Sequence, residues 1–324
     1  MKAILTKDLS GPEGLVLEDH EIGAPEPGKL KIEVRYAGVN FPDILITQGK
    51  YQFQPDLPFS PGGEVAGVVK EVGEEITDFK PGDRVLSGTT WGGFAEEVLG
   101  FGFNTYHLPD EVSFKDAAAT MMTHGTVIHA LKDRARVSEG ETLFVLGASG
   151  GVGTATIQIG KILGARVIAL TSSEEKVKFC LAAGADEAYT YQLEELKEKI
   201  KAITKGKGAD VIFDPIGGDY AEQAFRSMAP MGRYLVVGFA AGAVPKIPLN
   251  LPLLKSASLV GVFWGSFFRN FPKENKANMD QVMEWIKTGK LVPLVDEIYP
   301  LDKAKEALQK LQNRKVKGKV LIKI

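Results

Sequence analysis

Residues 142–170 read TLFVLGASGGVGTATIQIGKILGARVIAL, and the reading of this stretch decides the fold. It opens on a short apolar run, Thr142–Leu146, and enters a turn that holds Gly147, Gly150, Gly151 and Gly153 within seven residues. A helical stretch follows, Val152–Leu163, apolar at Val152, Ala155, Ile159 and Ile162. Gly164 ends it, and a second apolar run, Arg166–Leu170, closes the unit. Strand, tight turn, helix and strand in this order make a βαβ unit of the kind that binds dinucleotides. The glycines have a physical reason. A diphosphate must be met by backbone N–H groups, and these are free at the start of a helix, where the dipole is positive. A Cβ on the turn would hold the diphosphate off, and glycine also permits positive φ. Ser149, Gly150, Gly151 and Val152 are therefore the expected contacts. The spacing is G-x-x-G-x-x-G, so the motif draws its weight from its place between two strands.

Downstream the alternation continues. Apolar runs at Glu187–Tyr191, Asp210–Asp214, Arg233–Gly238 and Ser258–Phe263 read as strands, with amphipathic stretches at Glu174–Ala183, Leu193–Thr204 and Tyr220–Met228. Six strands in this alternation imply an α/β fold with a doubly wound, mostly parallel sheet. Upstream, residues 1–120 are rich in short strands: Lys2–Thr6, Leu15–Glu21, Lys29–Ala37, Glu64–Val72, Asp83–Ser87 and Phe94–Leu99. Turn signals at Pro25–Gly28, Pro61–Gly63, Lys80–Gly82 and Trp91–Gly93 separate them, as in a compact barrel-like domain. Lys115–Leu131 reads as helical. After Gly265 come helices at about 273–288 and 301–311 and a last strand, Lys319–Ile324, expected to rejoin the first domain. The expected domains are 1–125 with 266–324, and 126–265.

Bulk properties narrow the class. A chain of 324 residues suits two domains, at ~100–200 residues each. With 44% hydrophobic and 25% charged residues the composition is that of a globular protein. A net charge of −2 and no basic stripe argue against nucleic acid and acidic membranes as partners. The one cysteine, Cys180, excludes a disulfide framework and a multi-cysteine zinc site. No apolar run approaches the ~20 residues of a membrane span, and the first residues lack the apolar core of a secretion signal. A cytoplasmic enzyme is the expectation.

With AGVNFPD (37–43), PGGEVAGVV (61–69), PGDRV (81–85), GGFAEEV (92–98), GASGGVG (147–153), FDPIGGD (213–219) and GVFWGSF (261–267), the whole chain resembles the zinc-free quinone oxidoreductase branch of the medium-chain dehydrogenase/reductase superfamily. The resemblance implies a GroES-like catalytic domain, a Rossmann domain, a cofactor in the cleft between them, and a homodimer paired through the last Rossmann strand. The alcohol dehydrogenase branch holds zinc with a Cys and a His that align with Asn40 and Gly63 here; His20, His107, His124 and His129 have no matching spacing. Without that Lewis acid alcohol oxidation is disfavoured, and hydride donation to a quinone or a conjugated carbonyl is expected.

The second strand ends in Leu170-Thr171-Ser172-Ser173, without the acid that binds ribose hydroxyls in NAD enzymes. Ser172 and Lys176 suit a 2′-phosphate, so NADPH is the expected cofactor. Ser172 with Glu175, or Ser173 alone, also caps the next helix, and Lys176 is equally read as a solvated residue. The resemblance adds Tyr191 and Arg314 at this end. At the nicotinamide end it points to Asn40, Phe41 and Asp43, to Thr126, to Gly238, Phe239 and Ala240, and to Phe263, Trp264 and Gly265. Asn40 and Tyr51 are the expected catalytic residues; Asn40 is also read as pinning a turn, Tyr51 as an aromatic of the substrate pocket, and His124 as structural. Two other readings stay open. One is an alkenal or enoyl-thioester reductase. The other is an NADPH-binding structural or RNA-binding protein, against which the net charge speaks.

Overall fold

Runs that are apolar at every position need burial on both faces, and the second half of the chain meets that need with a parallel sheet. The computed structural model describes residues 1–324. It divides into two units, Thr123–Phe267 and Met1–Met122 with Phe268–Ile324. The sequence junctions were expected at 125/126 and 265/266. Both divisions fall inside helices, Met121–Ile128 and Trp264–Asn270, so no Gly/Pro linker marks them.

In the unit Thr123–Phe267 six strands lie in the order Glu187–Thr190, Arg166–Thr171, Thr142–Leu146, Ala209–Asp214, Met228–Val236, Ser258–Gly261. Every pairing is parallel. Leu143, Phe144, Val145 and Leu146 at its centre are fully buried, as are Val167–Leu170 and Val211–Phe213; each Val, Leu, Ile or Phe side chain among them contributes about 1.5–3 kcal/mol of burial. Thr142–Leu146 has Arg166–Thr171 on one side and Ala209–Asp214 on the other. Strand order reverses there, so the loops leaving the carboxyl ends of these strands open a crevice, the usual ligand position in such sheets.

Three local features differ from the sequence reading. The fifth strand runs Met228–Val236 where Arg233–Gly238 was expected, and its pairing with the fourth is irregular between Ala209 and Val211. The sixth strand stops at Gly261, and helix Trp264–Asn270 follows. A short helix also forms at Asn250–Lys255.

The other unit is a sheet built on the long strand Lys29–Val39. One edge of that strand pairs with Glu64–Val72. The other edge is shared: Lys29–Glu33 pairs with Glu97–Phe101, and Tyr36–Val39 pairs antiparallel with Lys319–Lys323 at the far end of the chain. Arg84–Gly88, Thr105–His107 and Val295–Pro300 extend the sheet, and Lys2–Thr6 with Leu15–Asp19 forms a separate ribbon. Leu30, Ile32, Val34, Val65, Val69, Phe94 and Val98 form the core, with Ala304, Ala307 and Leu308 from helix Ala304–Gln312. A helix that the sequence reading did not expect spans Phe41–Thr47. The Asp43 carboxylate accepts the N–H of Asn40 at 2.7 Å and fixes its start. No helix in the chain is long and apolar enough to cross a membrane.

Candidate active site

The glycine turn has the local build of an anion cradle. Gly147 stands at φ +61°, and Ala148 donates its N–H to Leu170 at 3.1 Å, tying the turn to the neighbouring strand. Gly150 is the N-cap of helix Gly151–Ile162, and no side chain caps that helix. Its first N–H groups are therefore not answered by a side-chain oxygen, the arrangement that suits a phosphate. A Cβ built on Gly150 would meet nothing closer than the Gly147 oxygen at 3.6 Å, so the space outside the turn is open. Gly153 is different: its Cβ would lie 2.5–2.6 Å from backbone atoms of Ala148, so this glycine serves the packing of helix on turn. Thr171 Oγ1 donates to Ser149 Oγ at 3.3 Å and links the turn to the end of the second strand.

At that strand end Ser173 caps helix Glu174–Ala182, its hydroxyl accepting the Lys176 N–H at 3.4 Å. Ser172 is thereby left exposed beside a half-buried Lys176. Tyr191 stands edge-on to Tyr220 with centroids 5.3 Å apart. Deeper in, Asp214 braces the next loop. Its Oδ1 accepts the N–H groups of Ile216 at 2.7 Å and Gly217 at 3.0 Å, and its Oδ2 accepts the Tyr234 hydroxyl. Burial pushes the Asp214 carboxyl above the usual carboxylate range and the Tyr234 phenol above the usual phenol range. Ala240 and Ala241 donate to the Pro215 and Ile216 carbonyls at 3.0 and 2.9 Å, so the stretch Gly238–Ala240 is knitted to that braced loop. Phe239 and Phe263 are exposed, whereas Trp264 is only 4% exposed and sits in the interior. Gly265 and Thr126 are half-buried.

The first unit holds a buried polar cluster. Asn40, Asp43, Glu64 and Lys319 are all buried. The Lys319 ammonium donates to Asn40 Oδ1 and Glu64 Oε1. Asn40 Nδ2 donates to Glu64 Oε1 at 2.9 Å and to the Gly38 carbonyl at 3.2 Å. Glu64 Oε2 accepts the Met122 N–H at 2.7 Å, and Asp43 Oδ1 accepts that of Gly62 at 3.2 Å. Both amide hydrogens of Asn40 are therefore engaged inside the protein. Burial pushes the Asp43 carboxyl up to about 7, against the opposing N–H groups and the Lys319 ammonium. Tyr51 is half-buried; burial and the charge of Asp43 raise its phenol, and Arg269 lowers it. Phe41 is exposed, and so is Arg314, which follows helix Ala304–Gln312 at φ +56°.

Within the second unit the fold thus gathers Ser149, Gly150, Gly151 and Val152 at one strand end, with Ser172, Lys176, Tyr191 and Gly238–Ala240 at neighbouring ends. Asn40, Phe41, Asp43, Tyr51 and Arg314 belong to the other unit. Sequence reasoning missed Glu64, Lys319 and the Asp214–Tyr234 pair. The available signal was a charged residue at the edge of an apolar strand, in EVAGVV and KVLIKI, which by itself reads as solvated.

Comparison with known proteins agrees with this architecture. Residues 26–110 match the family model of the alcohol dehydrogenase GroES-like domain, and residues 151–287 that of the zinc-binding dehydrogenases. The chain belongs to the medium-chain dehydrogenase/reductase superfamily, among its quinone oxidoreductases. Quinone oxidoreductase-like protein 2 of Bos taurus is 36% identical over 99% of this chain and 92% of its own length. A quinone oxidoreductase structure from Pseudomonas syringae is 33% identical with a TM-score of 0.93, covering 100% of this chain and 99% of that one. The Escherichia coli quinone oxidoreductase, solved in complex with NADPH, is 28% identical with a TM-score of 0.93 over 100% of both chains.

Proposed function

We propose that this oxidoreductase takes NADPH and transfers hydride to a quinone or a related electron-poor acceptor without a metal ion. The observation that carries the reading is the glycine turn: a helix start without a side-chain cap, with open space outside Gly150. Ser149, Gly150, Gly151 and Val152 would hold the diphosphate, and Ser172 and Lys176, with no acid at the strand end, would hold the 2′-phosphate. Tyr191, Arg314, Thr126, Gly238, Phe239, Ala240, Phe263 and Gly265 complete the proposed contacts; Trp264, being buried, would act by supporting Phe263. The NADPH complex of the Escherichia coli relative supports the choice of cofactor. When bound, the cofactor supplies a hydride. The protein's part is to bind, orient and exclude water.

The donor set does not suit the zinc named in one family description. No group of three His, Cys, Asp or Glu residues could hold a metal ion, Gly63 has no side chain, and Asn40 is committed to Lys319, Glu64 and Gly38. With both its amide hydrogens engaged, Asn40 is assigned to positioning, and Tyr51, whose phenol stays protonated at neutral pH, to donating a hydrogen bond to the acceptor oxygen. Reduction of a quinone leaves an anion that solvent can protonate.

The test is NADPH oxidation, with NADH in parallel, against a benzoquinone, 9,10-phenanthrenequinone, an alkenal and crotonyl-CoA. Quinone turnover with NADPH preferred is the expected outcome, and Lys176→Met should narrow the NADPH/NADH preference at least tenfold. Turnover of the alkenal or thioester alone would instead indicate double-bond reduction. Tight NADPH binding with no turnover at all would count against catalysis.

We further propose a homodimer through the edge strand Ser258–Gly261. Just before it in the sequence Leu249, Leu253 and Leu254 are 81%, 78% and 75% exposed, more than scattered surface leucines explain. Sedimentation should give a dimer, and Leu259→Lys, placed on that strand, should give a monomer. A monomeric wild-type chain would remove the proposal.

A further inference from the structure

Arg269 follows the last residues of the second unit and lies in the first. Its guanidinium carbon stands 4.6 Å from the centroid of the Phe53 ring and 5.4 Å from that of Phe268. The Tyr51 and Phe53 rings meet edge to face at 6.3 Å. The Arg269 side chain is exposed and forms no ion pair or hydrogen bond with the rest of the chain, although the protein carries 41 acidic residues. An arginine held by rings instead of a carboxylate is organised without being neutralised. Neither ring offers an oxygen, so the donors of the planar fork remain for an oxygen anion from outside. The charge also reaches Tyr51, where it works against burial and Asp43. Phe53 is itself 38% exposed, which leaves aromatic surface beside the cation.

We propose that Tyr51, Phe53 and Arg269 form an acceptor subsite that selects planar conjugated acceptors bearing an anionic group, a sulfonate, carboxylate or phosphate. The anion takes the guanidinium fork and the acceptor ring lies on the aromatic pair. This rests on the reading of the chain as a hydride-transferring reductase, and it names the acceptor class of that reaction. Neither neighbouring ring can neutralise the cation, so a neutral acceptor leaves it unpaired while an anionic one does not.

Two measurements test it. The first compares kcat/KM with NADPH for 1,2-naphthoquinone-4-sulfonate and 1,2-naphthoquinone in wild type and Arg269→Met. Taking the ratio of the two acceptors removes their difference in reactivity. The ratio should fall at least tenfold in the variant, mainly through KM for the sulfonate, and Arg269→Lys should recover part of it. An unchanged ratio overturns the proposal. The second titrates the full-length protein, saturated with NADP⁺ so that the cofactor's own anion sites are filled, with redox-inert naphthalene-2-sulfonate and naphthalen-2-ol. The sulfonate should bind wild type at least tenfold more tightly than Arg269→Met, with a smaller change for the naphthol; equal losses, or no binding to wild type, overturn it. If no acceptor is reduced but the sulfonate still binds through Arg269, the catalytic reading fails and the subsite stands.

Discussion

Replacing Lys319 with methionine should cost the folded protein about 3–5 kcal/mol, the usual penalty for leaving one partner of a buried ion pair alone. Lys319 is 4% exposed and Glu64 fully buried. Without the ammonium, Glu64 keeps only the Met122 N–H and the Asn40 amide. Asn40 Oδ1 loses its donor as well. Against a typical domain stability of about 5–15 kcal/mol this is a large fraction. A shift of the denaturant midpoint reads it, and Lys319→Arg, which keeps the charge, should lose less. A loss below about 1 kcal/mol would mean that the cluster is not organised by charge. The pH dependence has a definite sign. The Asp43 carboxyl titrates at about 7 in the folded protein, against 3.8 as its ordinary value. The folded state therefore binds a proton more tightly than the unfolded one. Its contribution to stability is fully present below the ordinary value and is lost as pH rises through about 7. Lys319 lowers that carboxyl, so in Lys319→Met the loss should extend to higher pH.

The second large effect separates binding from folding at two glycines of one turn. Gly150→Ala places a methyl in open space, at φ −80° and in ordinary contact with the Gly147 oxygen, so stability should barely change. The methyl would stand where a diphosphate must approach the backbone, and NADPH affinity should fall at least tenfold, about 1.4 kcal/mol. Gly153→Ala presses its methyl against the Ala148 backbone at 2.5–2.6 Å and forces helix and turn apart. Overpacking of that kind costs about 1–3 kcal/mol, so this variant should lose both stability and affinity. Paired thermal unfolding and NADPH titrations of the two variants check the contrast. Wild-type affinity in a well-folded Gly150→Ala protein would show that the diphosphate binds elsewhere.

The turn and its strands could be read from sequence because every feature that makes them is local. The glycines lie within seven residues, and the flanking strands are apolar throughout because both faces are covered. The helix Phe41–Thr47 was not visible, since Ile44, Ile46 and Thr47 favour a strand, and the bond between Asn40 and Asp43 that helps start the helix is not a sequence pattern. The buried cluster was harder still. Glu64 and Lys319 are 255 positions apart, and a lysine opening a strand is usually solvated. Whether such a residue is buried depends on which partner the topology brings, and no local pattern carries that information. Asn40 was singled out through resemblance, but its engagement by Lys319 and Glu64 is a tertiary fact.

That the closing strand Lys319–Lys323 zips onto Tyr36–Val39 sets the order in which the molecule can be made. Residues 123–267 form a unit whose sheet is complete in itself, so it can fold while the chain is still being synthesised. The first unit has all but its tail early, yet the cation that answers Glu64 arrives last. Of the two units, the one that begins earlier in the sequence is therefore the one completed later. A nascent chain stopped just short of Lys319 would carry a finished nucleotide-binding unit beside an open sheet edge and an uncompensated carboxylate, a form suited to capture by a chaperone or a protease.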